Sequence, residues 1–117
     1  VPSVEDHLHA LLDEPGIAGA ALVDAVTGLT YGEAGGCAPD GEECSRIAVL
    51  VEDRLHAAGA RGGLESIVVT AARRQVVLRL LPGHGDPLLL TATLEREQSN
   101  LALVMRRLDR YGEEVLG

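Results

Sequence analysis

The chain has 117 residues, enough for one domain with a modest core, and carries a formal charge of −8. It contains no Phe, no Trp and only two Tyr, and all ten of its basic residues are Arg. These counts argue against an aromatic-lined pocket for a flavin, nucleobase or sugar, remove the phosphate-loop lysine and Schiff-base chemistry, and make nucleic acid an unfavourable partner.

In chain order, Ser3 followed by Asp6 is a capping arrangement, and Val4, Leu8, Leu11 and Leu12 then recur at helical spacing. The first helix is expected to run to about Glu14, where Pro15-Gly16 stops it. "IAGAALVD" (17–24) follows as a strand whose small residues permit close packing. "GLTYGEAGG" (28–36) returns from a turn as the second strand, and the segment from Gly35 to Gly41 is a connector. Asp40, with Glu43 three residues on, starts a second helix that carries Cys44, Ile47, Ala48, Val51 and Leu55 on one side. It ends near "AAGARGG", where Gly59, Gly62 and Gly63 offer left-handed conformations. "ESIVVTA" (65–71), "QVVLRLL" (75–81) and "PLLLTATLE" (87–95) read as an antiparallel meander with turns at Ala72 to Arg74 and at "PGHGD". Ser99 or Asn100 then caps a third helix with Leu101, Val104, Met105, Leu108 and Val115 on its apolar side and Arg106, Arg107 and Arg110 on its solvated one. The order α-β-β-α-β-β-β-α makes residues 1–117 a single α+β domain, a five-stranded antiparallel sheet with helices on both faces.

Period-two alternation places Ile67, Val69, Val76, Leu78, Leu80, Leu88, Leu90 and Leu94 on one side of the sheet. It places Val68, Thr70, Val77, Leu81, Leu89, Thr91 and Thr93 on the other. Both faces are then apolar or threonine, yet only three helices are available, so one face receives two and the other receives one. The uncovered remainder, together with a β-branched strand such as "SIVVTA" at an edge, points to self-association.

Chemistry-bearing residues are few. Asp24 in "LVDAVTGLTYG" stands near a Thr-Gly, as the reacting carboxylate of a retroviral-type aspartic protease does. In that motif the Asp directly precedes Thr-Gly or Ser-Gly, whereas here Ala25 and Val26 intervene. Asp24 therefore reads as the first residue of a hairpin turn in which Gly28 takes a positive φ. His7 and His9 point apart on a helix, Asp53 with His56 is one pair too few for zinc, and His84 beside Asp86 reads as a local turn contact. No Ser sits in a G-x-S-x-G elbow, and the Gly-rich stretch before the second helix is too acidic to cradle an anion. Cys37 and Cys44, with six residues between them, match no zinc or redox spacing and read as idle thiols in a reducing compartment. The apolar runs are strand-sized, and the N-terminus lacks a basic region followed by an apolar one. The expectation is a cytoplasmic protein with no membrane insertion, no cofactor and no catalytic residue. Heavy use of Arg, Ala, Gly, Val and Leu suggests the GC-rich coding of many bacteria.

The hairpin "AGAALVDAVTGLTYGEAGG", the meander with its following helix, and the element order together resemble the Roadblock/dynein light chain domain family, nearly end to end. Asp24, Gly28 and Asn100 are the positions that carry its recurring features: an apolar strand ending in Asp, a Gly-closed turn and a capped last helix. The resemblance implies a homodimer, with strand three (Ile67, Val68, Val69, Thr70) and helix two (Ile47, Val51, Leu55) at the contact. It also implies the role of the bacterial, MglB-like members, which bind a small Ras-like GTPase through the helical face and alter its nucleotide cycle, with a histidine kinase among the associated partners. Glu42, Glu43, Arg46, Glu52 and Arg54 are then the charges offered to the partner. A profilin- or PAS-like module that senses a small molecule is the alternative, opposed by the lack of aromatics and of polar residues converging on the sheet.

Overall fold

The computed structural model describes residues 3–60, 63–81 and 85–116. Helix α1 (Val4–Leu11) leads into β1 (Ile17–Asp24) and β2 (Thr30–Gly35). After α2 (Gly41–Ala57) come β3 (Ser66–Thr70), β4 (Arg74–Leu81) and β5 (Leu88–Glu95), a 3₁₀ turn at Arg96–Gln98 and α3 (Leu101–Leu116). The five strands form one antiparallel sheet in the order β2-β1-β5-β4-β3. The closing strand β5 thus inserts beside β1, and β2 and β3 become the two edges.

Local chemistry accounts for the boundaries. Ser3 Oγ accepts from the Asp6 N–H at 3.1 Å, and Asp6 Oδ2 accepts from the Ser3 N–H at 3.0 Å, closing a capping box. Helix α1 stops at Leu11, short of the expected Glu14. From Leu12 onward the backbone bonds run i to i−3 (Asp13 to Ala10, Glu14 to Leu11, Ile17 to Glu14), so the chain unwinds as tight turns. Strand β2 begins at Thr30, later than expected, because residues 25–29 are all held in the turn that precedes it. Asp40 Oδ1 caps α2 by accepting from the Glu43 N–H at 3.0 Å, and Asn100 Oδ1 caps α3 by accepting from Leu103 at 3.2 Å. Ser99, the other candidate cap, instead has a buried hydroxyl with no partner among the described residues. Gly59 takes the left-handed conformation after α2 at φ 81°; Gly63 does not, and Gly62 and His84 lie outside the described residues.

Each face of the sheet has its own core. On one, Leu8 and Leu11 of α1 and Val104, Leu108 and Tyr111 of α3 pack on Ala20, Leu22, Val77, Leu90, Ala92 and Leu94. On the other, Cys44 and Ala48 of α2 pack on Ala21, Val23, Leu78 and Leu89. This is the two-against-one helix distribution that the sequence implies, with one correction. Leu81 pairs with Leu88 and Leu78 with Thr91, so Leu89, Thr91 and Thr93 share the α2 face with Val76, Leu78 and Leu80. Leu88, Leu90 and Leu94 lie on the α1/α3 face with Val77, the reverse of the expected phase. The run is apolar on both faces, so alternation alone does not set its phase; pairing with β4 does. Arg107, expected on the solvated side of α3, is half-buried and donates to the Ala10 carbonyl at 3.1 Å, tying α3 to the end of α1.

Candidate functional site

The turn between β1 and β2 answers the question that Asp24 raises. Its Oδ1 accepts from the backbone N–H groups of Val26 at 2.8 Å and Thr27 at 2.9 Å, and the Tyr31 hydroxyl donates to Oδ2 at 3.3 Å. The Thr27 and Val26 N–H groups hold its carboxyl below the usual carboxylate range. Burial and the neighbouring Asp24 charge push the Tyr31 phenol up. Gly28 has φ 79°, and its N–H donates to the Asp24 carbonyl at 2.9 Å. Asp24 is 4% exposed, with one oxygen committed to the turn and the other to Tyr31 of β2, which is the behaviour of a structural Asx residue.

The same turn positions α2. A Cβ on Gly28 would lie 2.8 Å from the Glu42 Cα, and one on Gly41 would lie 2.7 Å from the Gly28 carbonyl oxygen. Helix and turn meet backbone to backbone, a proximity that only glycine permits. The buried Ser45 hydroxyl donates to the Ala25 carbonyl at 2.8 Å and also lies 3.1 Å from the Val26 carbonyl. Sequence reasoning missed Ser45, although a Ser on the line of Cys44 and Ala48 is a polar group at a buried helical position.

Anchored at its first turns, α2 buries Gly41, Cys44, Ser45 and Ala48, with Val51 half-buried, and leaves the rest of its length exposed. Ile47, Leu50, Val51 and Leu55 therefore form a stripe at helical spacing, with Leu50 55% exposed. Leu50 and Val49, also exposed, were not among the expected contact residues; they fall one step outside the stripe that includes Cys44 and Ala48. Burial pushes the Cys44 thiol up to about 11, with the Asp40 and Glu43 charges adding to it.

The stripe borders the edge strand. Ile47 and Val69 line one open cleft of about 240 Å³ together with Pro39, Cys44, Val76 and Leu78, so α2 and β3 do come together. Val69 is 47% exposed and β3 has a strand partner on one side only, β4. Ile67 and Val69 face α2, whereas Val68 and Thr70 point to the opposite side of the sheet, in register with Val77 and Gln75. The cleft is open, whereas a small-molecule site encloses most of its ligand in a concave pocket with a few convergent polar groups.

The five expected partner charges are all exposed and have different neighbours. Glu42 and Arg46 make an ion pair at 3.9 Å beside the hairpin turn. Glu43 borders the cleft facing β3. Glu52 lines a second cleft of about 420 Å³ with Leu64, Glu65, Arg79 and Pro87. Among the described residues no helix is long and apolar enough to cross a membrane, and no group of three His, Cys, Asp or Glu side chains is gathered to hold a metal.

No protein-family model matches the chain, and no curated protein does. Solved structures do. A Roadblock/LC7 domain from Streptomyces avermitilis superposes with a TM-score of 0.80 at 17% identity, covering 97% of this chain and 94% of that one. The chain has the Roadblock/LC7 fold. MglB from Myxococcus xanthus matches with a TM-score of 0.79 at 14% identity over 95% of this chain and 83% of that one. A structure of MglB with tetrameric arrangement matches with a TM-score of 0.75 at 18% identity over 94% of this chain and 82% of that one. At such identities the Roadblock/LC7 likeness is one of backbone, and the surface chemistry is this chain's own.

Proposed function

We propose that the chain is a non-enzymatic scaffold that pairs with a second copy of itself and binds a small Ras-like GTPase, modulating its nucleotide cycle or its localisation. The observation that carries this reading is the exposed apolar stripe on α2 running onto the open edge strand β3, on a Roadblock/LC7 fold. An exposed strand edge beside an exposed apolar helix face invites a partner able to add both a strand and a helix, and a second copy offers both. Ile47, Val51, Leu55, Ile67, Val68, Val69 and Thr70 form the self-contact, joined by Leu50. Val68 and Thr70 act through the strand edge, since their side chains face away from α2. Glu42, Glu43, Arg46, Glu52 and Arg54 are the charges presented to the GTPase. The structural likeness to MglB supports the GTPase part of the reading.

The test is affinity capture with the tagged chain from a lysate of the organism that encodes it, with GDP or a non-hydrolysable GTP analogue added. Recovery of a small Ras-like GTPase in one nucleotide state and not the other is expected. Recovery of the chain alone in both states would overturn the GTPase reading while leaving self-association standing.

A further inference from the structure

The apolar tip of the β1–β2 hairpin has no role in the reading above, which shares with it only the neighbouring charges Glu42 and Arg46, yet it exposes three large apolar side chains within six residues. Val26 is 62% exposed, Leu29 59% and Tyr31 49%. Single exposed apolar residues are ordinary; these three sit on a turn that is fixed from several sides. Asp24 holds the Val26 and Thr27 N–H groups, the Thr27 hydroxyl accepts from the Leu29 N–H at 3.2 Å, and Ser45 holds the Ala25 carbonyl. The Ala25 N–H donates to the Pro87 carbonyl at 3.0 Å, which brings the residue just before β5 alongside. A patch held this firmly loses little conformational freedom when it is covered, the property that distinguishes a binding anchor from a loose loop.

The rim states the charge of what covers it. Glu33 follows Tyr31 by two residues on β2, beyond the bulge that leaves Tyr31 without a partner on β1; Glu42 lies against Gly28, and Asp86 precedes the Pro87 that bonds to the turn; all three are exposed. Arg46 is the cation at this rim and is paired with Glu42. We propose that the hairpin tip is a docking surface for a protein segment that places an apolar side chain between arginine or lysine residues. The apolar group covers Val26, Leu29 and the Tyr31 ring, while the flanking cations meet Glu33, Glu42 and Asp86 and speed encounter. A second tip cannot serve as the occupant, because isologous pairing would set like charges against each other. β2 is the edge opposite β3, so the surface stays free when two copies pair through β3.

The experiment is an NMR titration of the ¹⁵N-labelled chain with a synthetic peptide carrying Leu between two Arg residues, beside the same peptide with Glu in place of Arg. The proposal expects the basic peptide to shift the amides of Val26, Leu29 and Tyr31. It expects at least tenfold weaker binding of the acidic peptide, and of the basic peptide to Leu29→Asp and to the Glu33→Arg/Glu42→Arg double variant, with affinity falling as salt rises. Spectra of both variants that keep the dispersion of the parent show that folding is intact. Absence of binding, equal binding of the two peptides, or shifts centred on Leu50 and Val51 would each overturn the proposal. Tip amides that move with the chain's own concentration would also overturn it, by giving the patch to a second copy. None of these readouts involves a GTPase, so this proposal and the one above fail separately.

Discussion

One carboxylate, that of Asp24, holds the tip of the β1–β2 hairpin and, through the turn it builds, the start of α2. Because its folded pKa is lowered, its stabilisation is complete above the unfolded value of about 3.9 and is lost as pH falls through the lowered folded value. Asp6, lowered chiefly by the Ser3 backbone N–H, contributes in the same window. Thermal melts below about pH 4 are therefore expected to show a shallower acid loss in Asp24→Asn than in the parent; identical slopes would contradict the role given to Asp24. Gly28→Ala places a side chain at φ 79° and against the Glu42 backbone, and is expected to cost more than about 1 kcal/mol in denaturant unfolding. Ser45→Ala removes a buried hydrogen bond and is expected to cost about 1 kcal/mol or somewhat more. Cys44, buried with its thiol pushed up to about 11, is expected to resist alkylation of the folded chain near neutral pH and to react once the chain is unfolded. Asp24, Gly28 and the caps Ser3, Asp40 and Asn100 are readable from sequence because their chemistry is local. Ser45 is not, since its partner lies twenty residues away across the fold.

At the scale of elements, α2 is a helix with two apolar sides and only one of them covered. The sequence shows one broad apolar stripe from Cys44 to Leu55; the structure splits it, burying Cys44 and Ala48 and exposing Ile47, Leu50 and Leu55. The Gly28–Gly41 contact and Ser45 pin the beginning of the helix against the turn, while from Val49 onward its residues are exposed or at most half-buried, a tertiary fact that periodicity does not encode. The phase of β5 is hidden for a similar reason: Leu88, Leu89 and Leu90 are apolar in either register, and only pairing with β4 chooses between them. Substitution of Leu50 by Glu is expected to weaken self-association at least tenfold while leaving the unfolding midpoint of the separated chain nearly unchanged. Leu78→Ala, by contrast, opens a cavity in the core beneath α2 and is expected to cost about 2–5 kcal/mol. Sedimentation and denaturant unfolding of the two variants side by side separate surface from core; a Leu50→Glu chain that loses folding stability instead would place that residue in the core.

At the scale of the whole molecule, element order, strand count and helix distribution follow from capping signals, glycines and alternation, which is why the Roadblock/LC7 fold is legible without a long-range contact in hand. The strand order is not local information, and the insertion of β5 beside β1 is what leaves β3 at an edge. That edge, beside a helix with an uncovered apolar stripe, is the feature on which the scaffold reading turns. The most direct test is the sedimentation equilibrium mass of the parent chain and of Val69→Arg, which sets a charge on the open strand beside Ile47. The account predicts twice the chain mass for the parent and a single chain mass for the folded variant. A parent that remains at a single chain mass at every concentration reached would contradict it.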